Sequence, residues 1–346
     1  MSQLRRDPVV NRWVIIAPER GARPHDFAVR TEAAASASVC PFCQGNERMT
    51  PHEVFAIRDT SEPDRPGWYV RVVPNKFPAL GIEGQLNPQA DGLLHSMEGI
   101  GAHEIVIEHP RHDAVLPFMG DEQIMRVIEA CRSRVQDLRG DVRFRHVIAF
   151  RNHGAEAGAS VTHPHSQVMA LPIIPRLVRD LLQGAGDYYG ANGRCVYCDL
   201  VAQELRAGVR VVLETPHFVV LAPYASRFAY ETSITPRRHC ADFTTLTIEE
   251  RADLAAVYRK LFTAYTTALM SPPYNLVYQT SPATGPGPEG AADGAVDGEA
   301  VAREFHWHVE VMPRLTTLAG FEWGTGFYIN PVAPEEAAST LKAALP

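Results

Sequence analysis

No apolar run in this chain of 346 residues approaches 18 residues, so the sequence excludes a membrane-spanning helix. Its basic start, Met1-Ser2-Gln3-Leu4-Arg5-Arg6, is followed by no signal-type apolar core, which predicts a cytoplasmic protein. Positive charge is in deficit: 33 Lys and Arg stand against 40 Asp and Glu, a formal net charge of −7. That balance argues against nucleic acid as a bulk partner, and a phosphorylated small molecule would need a locally basic pocket. Cysteine is scarce, six in all, and in a reducing compartment these thiols are expected free of disulfides. Four of the six form two Cys-x-x-Cys pairs, Cys40/Cys43 and Cys195/Cys198.

Each pair opens a series of matched stations. The first runs Cys40, Cys43, a strand Tyr69 to Val73 before Pro74, a strand His103 to Glu108, then His112, a helix, a strand Phe144 to Phe150, and His163-Pro164-His165. The second runs Cys195, Cys198, a strand Phe218 to Ala222 before Pro223, a strand Tyr230 to Thr235, then His239, a helix, a strand Asn275 to Gln279, and His306-Trp307-His308. The first helix begins at Asp121, with Ile124, Val127, Ile128, Cys131, Val135 and Leu138 at steps of three and four. Thr247 and Glu250 form a capping box for the second, ahead of Leu254, Val257 and Leu261. The order repeats element for element, which predicts a duplicated unit. From histidine to His-x-His the second copy is 16 residues longer, 67 against 51. The Gly/Ala/Pro-rich stretch Ser281 to Ala300 accounts for the difference and reads as an inserted mobile loop.

One Cys-x-x-Cys fits zinc, a redox dithiol or coincidence; two, each followed by histidines at matched stations, favour metal. Two thiolates and two imidazoles suit tetrahedral Zn²⁺ in a closed, structural site. The first set is Cys40, Cys43, His112 and His163; the second is Cys195, Cys198, His239 and His306, with Cys240 and His217 as competing ligands. In a strand, residues i and i+2 share a face, so metal on His163 would hold His165 on a rigid mount stiffened by Pro164. A neutral imidazole so held is suited to attack phosphorus and hand the group on.

The run His163-Pro164-His165-Ser166-Gln167 resembles the active-site signature of the galactose-1-phosphate uridylyltransferase branch of the histidine-triad superfamily, and the whole chain is similar to that family's tandem arrangement. The resemblance implies that His165 is the nucleophile, taking a uridylyl group from UDP-glucose and passing it to galactose 1-phosphate. It implies that Gln167 bonds the transferred phosphoryl group, that Ser160 and Asn152 contact phosphate, and that Arg20 and Arg23 lie near the phosphates. Asn75 falls in its nucleoside-binding segment, and Gly320-Phe321-Glu322 in a loop approaching the sugar phosphate. The family's tendency to dimers implies a homodimer. Glutamine at position 167 cannot act as a general acid, which favours a transferase over a hydrolase.

Two features depart from better-known members, which bind the second metal through a glutamate and three histidines. Cys195 and Cys198, with Gly320 to Gly326, also resemble relatives that act on ADP-glucose with inorganic phosphate as acceptor. In the second copy Trp307 and Glu310 replace the proline and glutamine, so His308 is expected to have lost the nucleophile role. A zinc-stabilised nucleotide-binding protein without catalysis is the third reading. The expected fold is α+β: two tandem histidine-triad-like domains, 1–185 and 186–346, each an antiparallel sheet with a packed helix.

Overall fold

A computed structural model describes residues 2–22, 40–287 and 294–346. Its first half runs β1 (Gln3–Arg6), β2 (Trp13–Ile16), β3 (Phe55–Arg58), β4 (Trp68–Pro74), β5 (Gln89–Asp91), β6 (Leu94–Ser96), β7 (Ala102–Ile107), α1 (Asp121–Leu138), β8 (His146–His153) and β9 (His165–Leu171). The second half opens with two helices, α2 (Arg176–Asn192) and α3 (Val196–Ala207), then β10 (Val211–Glu214), β11 (Phe218–Leu221) and β12 (Thr232–Pro236). It continues through α4 (Ile248–Leu269), β13 (Tyr274–Gln279), α5 (Gly298–Glu304), β14 (His308–Pro313), α6 (Gly320–Thr325), β15 (Tyr328–Asn330) and α7 (Pro334–Ala343). Among the described residues no helix is long and apolar enough to cross a membrane.

Ten strands form one sheet in the order β10-β11-β12-β14-β13-β8-β9-β7-β4-β3, every neighbouring pair antiparallel. The order reads the same from either end, so β3, β4, β7, β9 and β8 match β10, β11, β12, β14 and β13. The duplicated stations are thus a pseudo-twofold whose axis lies between β8 and β13. Expected as two separate sheets, the halves share one, because β8 and β13 would each leave an open edge and instead pair through Asn152↔Asn275 and Phe150↔Val277.

Both long helices lie on one face. Ile124, Ile128, Cys131 and Val135 of α1 and Leu254, Val257, Leu261 and Phe262 of α4 join Val106, Val168, Val309 and Val311 in a single buried cluster. The capping box of Thr247 and Glu250 is formed as the sequence predicts. Strand alternation sends the other side chains, among them His165, Gln167, His308 and Glu310, to the opposite face.

The stretch Ser281 to Ala300 corrects the expectation of a mobile loop. Gly285 pairs with Val296, and Asp297 caps α5 through the amides of Glu299 and Ala300. Buried Arg145, from the first half, donates to the carbonyls of Gly285 and Pro286 at 3.2 Å and of Gly294 at 2.9 Å. Apolar periodicity is absent because a guanidinium, not an apolar stripe, collects the segment. Residues 288–293 lie outside the described residues.

Candidate active site and metal centres

All eight expected metal ligands converge in two sets, with the ligand atoms of each set within 4.8 Å of one another. Cys43 Sγ lies 3.6 Å from Nδ1 of both His112 and His163, and Cys198 Sγ 3.4 and 3.6 Å from Nδ1 of His239 and His306. A tetrahedron with about 2.3 Å to sulfur and about 2.0 Å to nitrogen has sulfur–nitrogen edges of about 3.5 Å, so both sets fit Zn²⁺. The outer ring nitrogens support the same reading: Nε2 of His163 bonds the His109 carbonyl at 2.8 Å, and Nε2 of His239 the Ala302 carbonyl at 2.8 Å. Those bonds place the proton on Nε2 and leave Nδ1 as the ligand atom. The competitors fall away. Cys240 Sγ contacts Thr245 Oγ1 and the Asp242 carbonyl, and neither Cys240 nor His217 joins the set.

His165 begins β9 and is 6% exposed. Its Nδ1 bonds the His163 carbonyl at 2.8 Å, so Nδ1 carries the proton and Nε2 keeps its lone pair. Burial lowers its pKa, opposed by that carbonyl bond and by Glu108, so the neutral form dominates near pH 7. The Phe42 ring packs 5.5 Å from the imidazole. His165 lines a 160 Å³ pocket with Asn152, Gly154, Thr162 and His163. Asn152 also lines a 1240 Å³ cleft that carries Arg20, Arg227, Arg314, Glu156 and Glu322. Of the three guanidinium groups, Arg227 is paired with Glu231 and Glu310, so Arg20 and Arg314 are the ones that bring positive charge to the cleft.

Gln167, two residues along the same face, accepts from His103 Nε2 at 2.8 Å. The tautomer is set on the other side, where the Ala79 amide donates to His103 Nδ1 at 3.3 Å. The Gln167 amide nitrogen is thereby turned outward as a donor. Asn75 lies beside His103, its Oδ1 accepting from the Phe77 amide; its Nδ2, 3.2 Å from His103 Nε2, is a donor set against a donor and makes no hydrogen bond there. The sequence reading missed His103; the signal was its parity, since His103 shares the open face of β7 with Ile105, the residue opposite Gln167.

The remaining candidates divide. Ser160 is exposed, although its neighbours Ala159 and Val161 line the His165 pocket. Gly320, Phe321 and Glu322 lie in the short helix α6 instead of a loop; Glu322 lines the cleft while accepting from the Ala319 amide. Arg23 lies outside the described residues.

The second copy repeats the frame with different residues around its histidine. His308 Nδ1 bonds the His306 carbonyl at 3.1 Å, and Tyr197 takes the place of Phe42, 5.1 Å from the ring. At the glutamine station Glu310 is partly buried: desolvation opposes its charge, but Arg227 and His308 hold its pKa down to about 2. Arg227 binds it at 2.9 Å and Glu231 at 2.6 Å. Trp307 is fully buried against Phe243 and Phe218.

The family models for galactose-1-phosphate uridyl transferase match residues 1–175 with their N-terminal domain and 182–342 with their C-terminal domain. The chain belongs to this family. Among its galactose-1-phosphate uridyl transferase relatives, ADP-glucose phosphorylase of Arabidopsis thaliana is 34% identical over 98% of this chain and 92% of its own. Galactose-1-phosphate uridylyltransferase of Thermotoga maritima is 29% identical over 99% and 98%. The crystal structure of the Arabidopsis enzyme with bound ADP-glucose superposes with a TM-score of 0.83 at 33% identity, covering 99% of both chains. A uridylyltransferase structure gives 0.73 at 26% identity, covering 99% of this chain and 98% of that one.

Proposed function

We propose that the protein transfers a nucleotidyl group from a nucleotide sugar by a double displacement on His165. Nε2 attacks the α-phosphorus, the bond to the sugar phosphate oxygen breaks, and a sugar 1-phosphate leaves; a phosphate oxygen of the acceptor then attacks, and the phosphorus–nitrogen bond breaks. The bond from Nδ1 to the His163 carbonyl carries this reading, because it orients the lone pair and stabilises the positive imidazole of the intermediate. Gln167, held by His103, would donate to a phosphoryl oxygen; Asn152 and Arg20 would meet the phosphates; Asn75 would meet the nucleoside. Zn²⁺ in both Cys2His2 sets would be structural, since four protein ligands leave no open position.

The sequence reading put UDP-glucose and galactose 1-phosphate first. The two cysteines of the second metal set and the greater similarity to ADP-glucose phosphorylase favour ADP-glucose as donor and inorganic phosphate as acceptor. The uridylyl reading stands second. One transfer assay decides, with each donor paired to each acceptor. Incubation with labelled donor alone should leave acid-labile, alkali-stable label on the protein. His165→Ala should abolish it, His308→Ala should not, and turnover persisting in His165→Ala would sink the proposal.

A further inference from the structure

Beneath His165, on the helix side of the sheet, sits a buried ionic cluster that the transfer chemistry has not used. Ser166 Oγ donates to Glu108 Oε1 at 2.6 Å, and Arg151 Nη1 lies 2.8 Å from Glu108 Oε2. Glu108 is 1% exposed, Arg151 3% and Ser166 4%. The backbone of Glu108 is tied as well: its amide donates to the Pro164 carbonyl at 3.1 Å, and its carbonyl accepts from Gln123 Nε2 at 2.6 Å. One carboxylate thus joins the end of β7 to the residue after His165 and to the residue before Asn152.

The pseudo-twofold supplies an internal control. His165 and His308 are equivalent, so strand register matches Ser166 to Val309, Glu108 to Pro236 and Arg151 to Tyr278. All three counterparts are buried and carry no charge, and Val309 and Tyr278 belong to the main apolar cluster. The fold therefore closes this layer without ions. A buried ion pair is a weak source of stability, and apolar replacement is often neutral or favourable. The cluster occurs only in the half whose histidine is held for attack.

We infer that Glu108, with Arg151 and Ser166, is a positioning device that holds the His165 strand in the attacking geometry, and that the apolar second half lacks it because nothing there must be aimed. The inference rests on His165 being the nucleophile. In-line attack tolerates little misplacement, so loosening this anchor acts on the rate and not on donor binding.

The test uses labelled ADP-glucose, with UDP-glucose in parallel, and follows single-turnover labelling of the protein, donor KM, zinc content and thermal midpoint. Ser166→Ala and the triple variant Glu108→Leu/Arg151→Leu/Ser166→Val should label about 10-fold or more slowly, with KM within about twofold; the midpoint should fall in Ser166→Ala, which strips a hydrogen bond from the buried carboxylate, and stay unchanged or rise in the triple variant. Ser166→Thr, which keeps the hydroxyl, should restore the rate to within about threefold. Labelling at the native rate in Ser166→Ala or in the triple variant, while His165→Ala takes no label, overturns the positioning role. If the triple variant does not fold, the Ser166 pair still decides. Label persisting in His165→Ala would instead remove the nucleophile itself.

Discussion

His103 Nε2 lies 2.8 Å from the side-chain oxygen of Gln167, and the Ala79 amide, donating to Nδ1 at 3.3 Å, favours the tautomer in which Nε2 donates to that oxygen. A single imidazole thereby decides which end of the Gln167 amide faces the pocket side of β9.

His103→Phe should remove that orientation while keeping the ring volume. Loss of one aligned donor in a transfer site lowers kcat by about 10²-fold, and an indirect loss by less, so a fall of about 10-fold is expected with zinc content unchanged. Steady-state kinetics beside metal analysis checks it; unchanged kcat would show that Gln167 orients itself.

Metal analysis should give two zinc ions per chain for protein prepared without chelator. Cys40→Ser and Cys195→Ser should each lower that by one, and each should lower the thermal midpoint, because ligand binding free energy is folding free energy here. Full metal in either variant would contradict the assignment of that set.

His146 is buried without a partner on either ring nitrogen, and burial, helped by Arg139, lowers its pKa from 6.5 to about 3. Between those values the unfolded chain binds a proton that the native protein does not, so stability falls as pH drops below 6.5. The loss from this group is about 2 kcal/mol between pH 7 and pH 5. His146→Gln should flatten the urea-unfolding stability over that range relative to the native chain. Parallel pH profiles for the two proteins would refute it.

Trp307 is fully buried between Phe243 and Phe218. Trp307→Ala should cost about 3–5 kcal/mol through the cavity it leaves. Denaturant unfolding measures this, and a cost under about 1 kcal/mol would mean that the layer collapses to fill the space.

The sequence by itself determined the duplication, the two converging Cys2His2 sets, the two long helices and the shared face of His163 and His165. Each rests on local pattern: ligand spacing, apolar steps of three and four, a capping box, and the two-residue parity that puts His163 and His165 on one face. Tertiary structure alone decided that the halves share one sheet, since edge pairing between β8 and β13 leaves no mark in either strand. It decided that Arg145 gathers the inserted segment, because nothing along the chain links Arg145 to Pro286, 141 positions further on. It also brought His103 and Glu108 against the run that holds His165. Their partners Gln167 and Ser166 are distant in sequence, 64 and 58 residues away, and meet them only because β7 pairs with β9 in one register. Side-chain chemistry can be read along a chain, but which side chains face each other across strands is set by pairing, and pairing depends on the whole sheet.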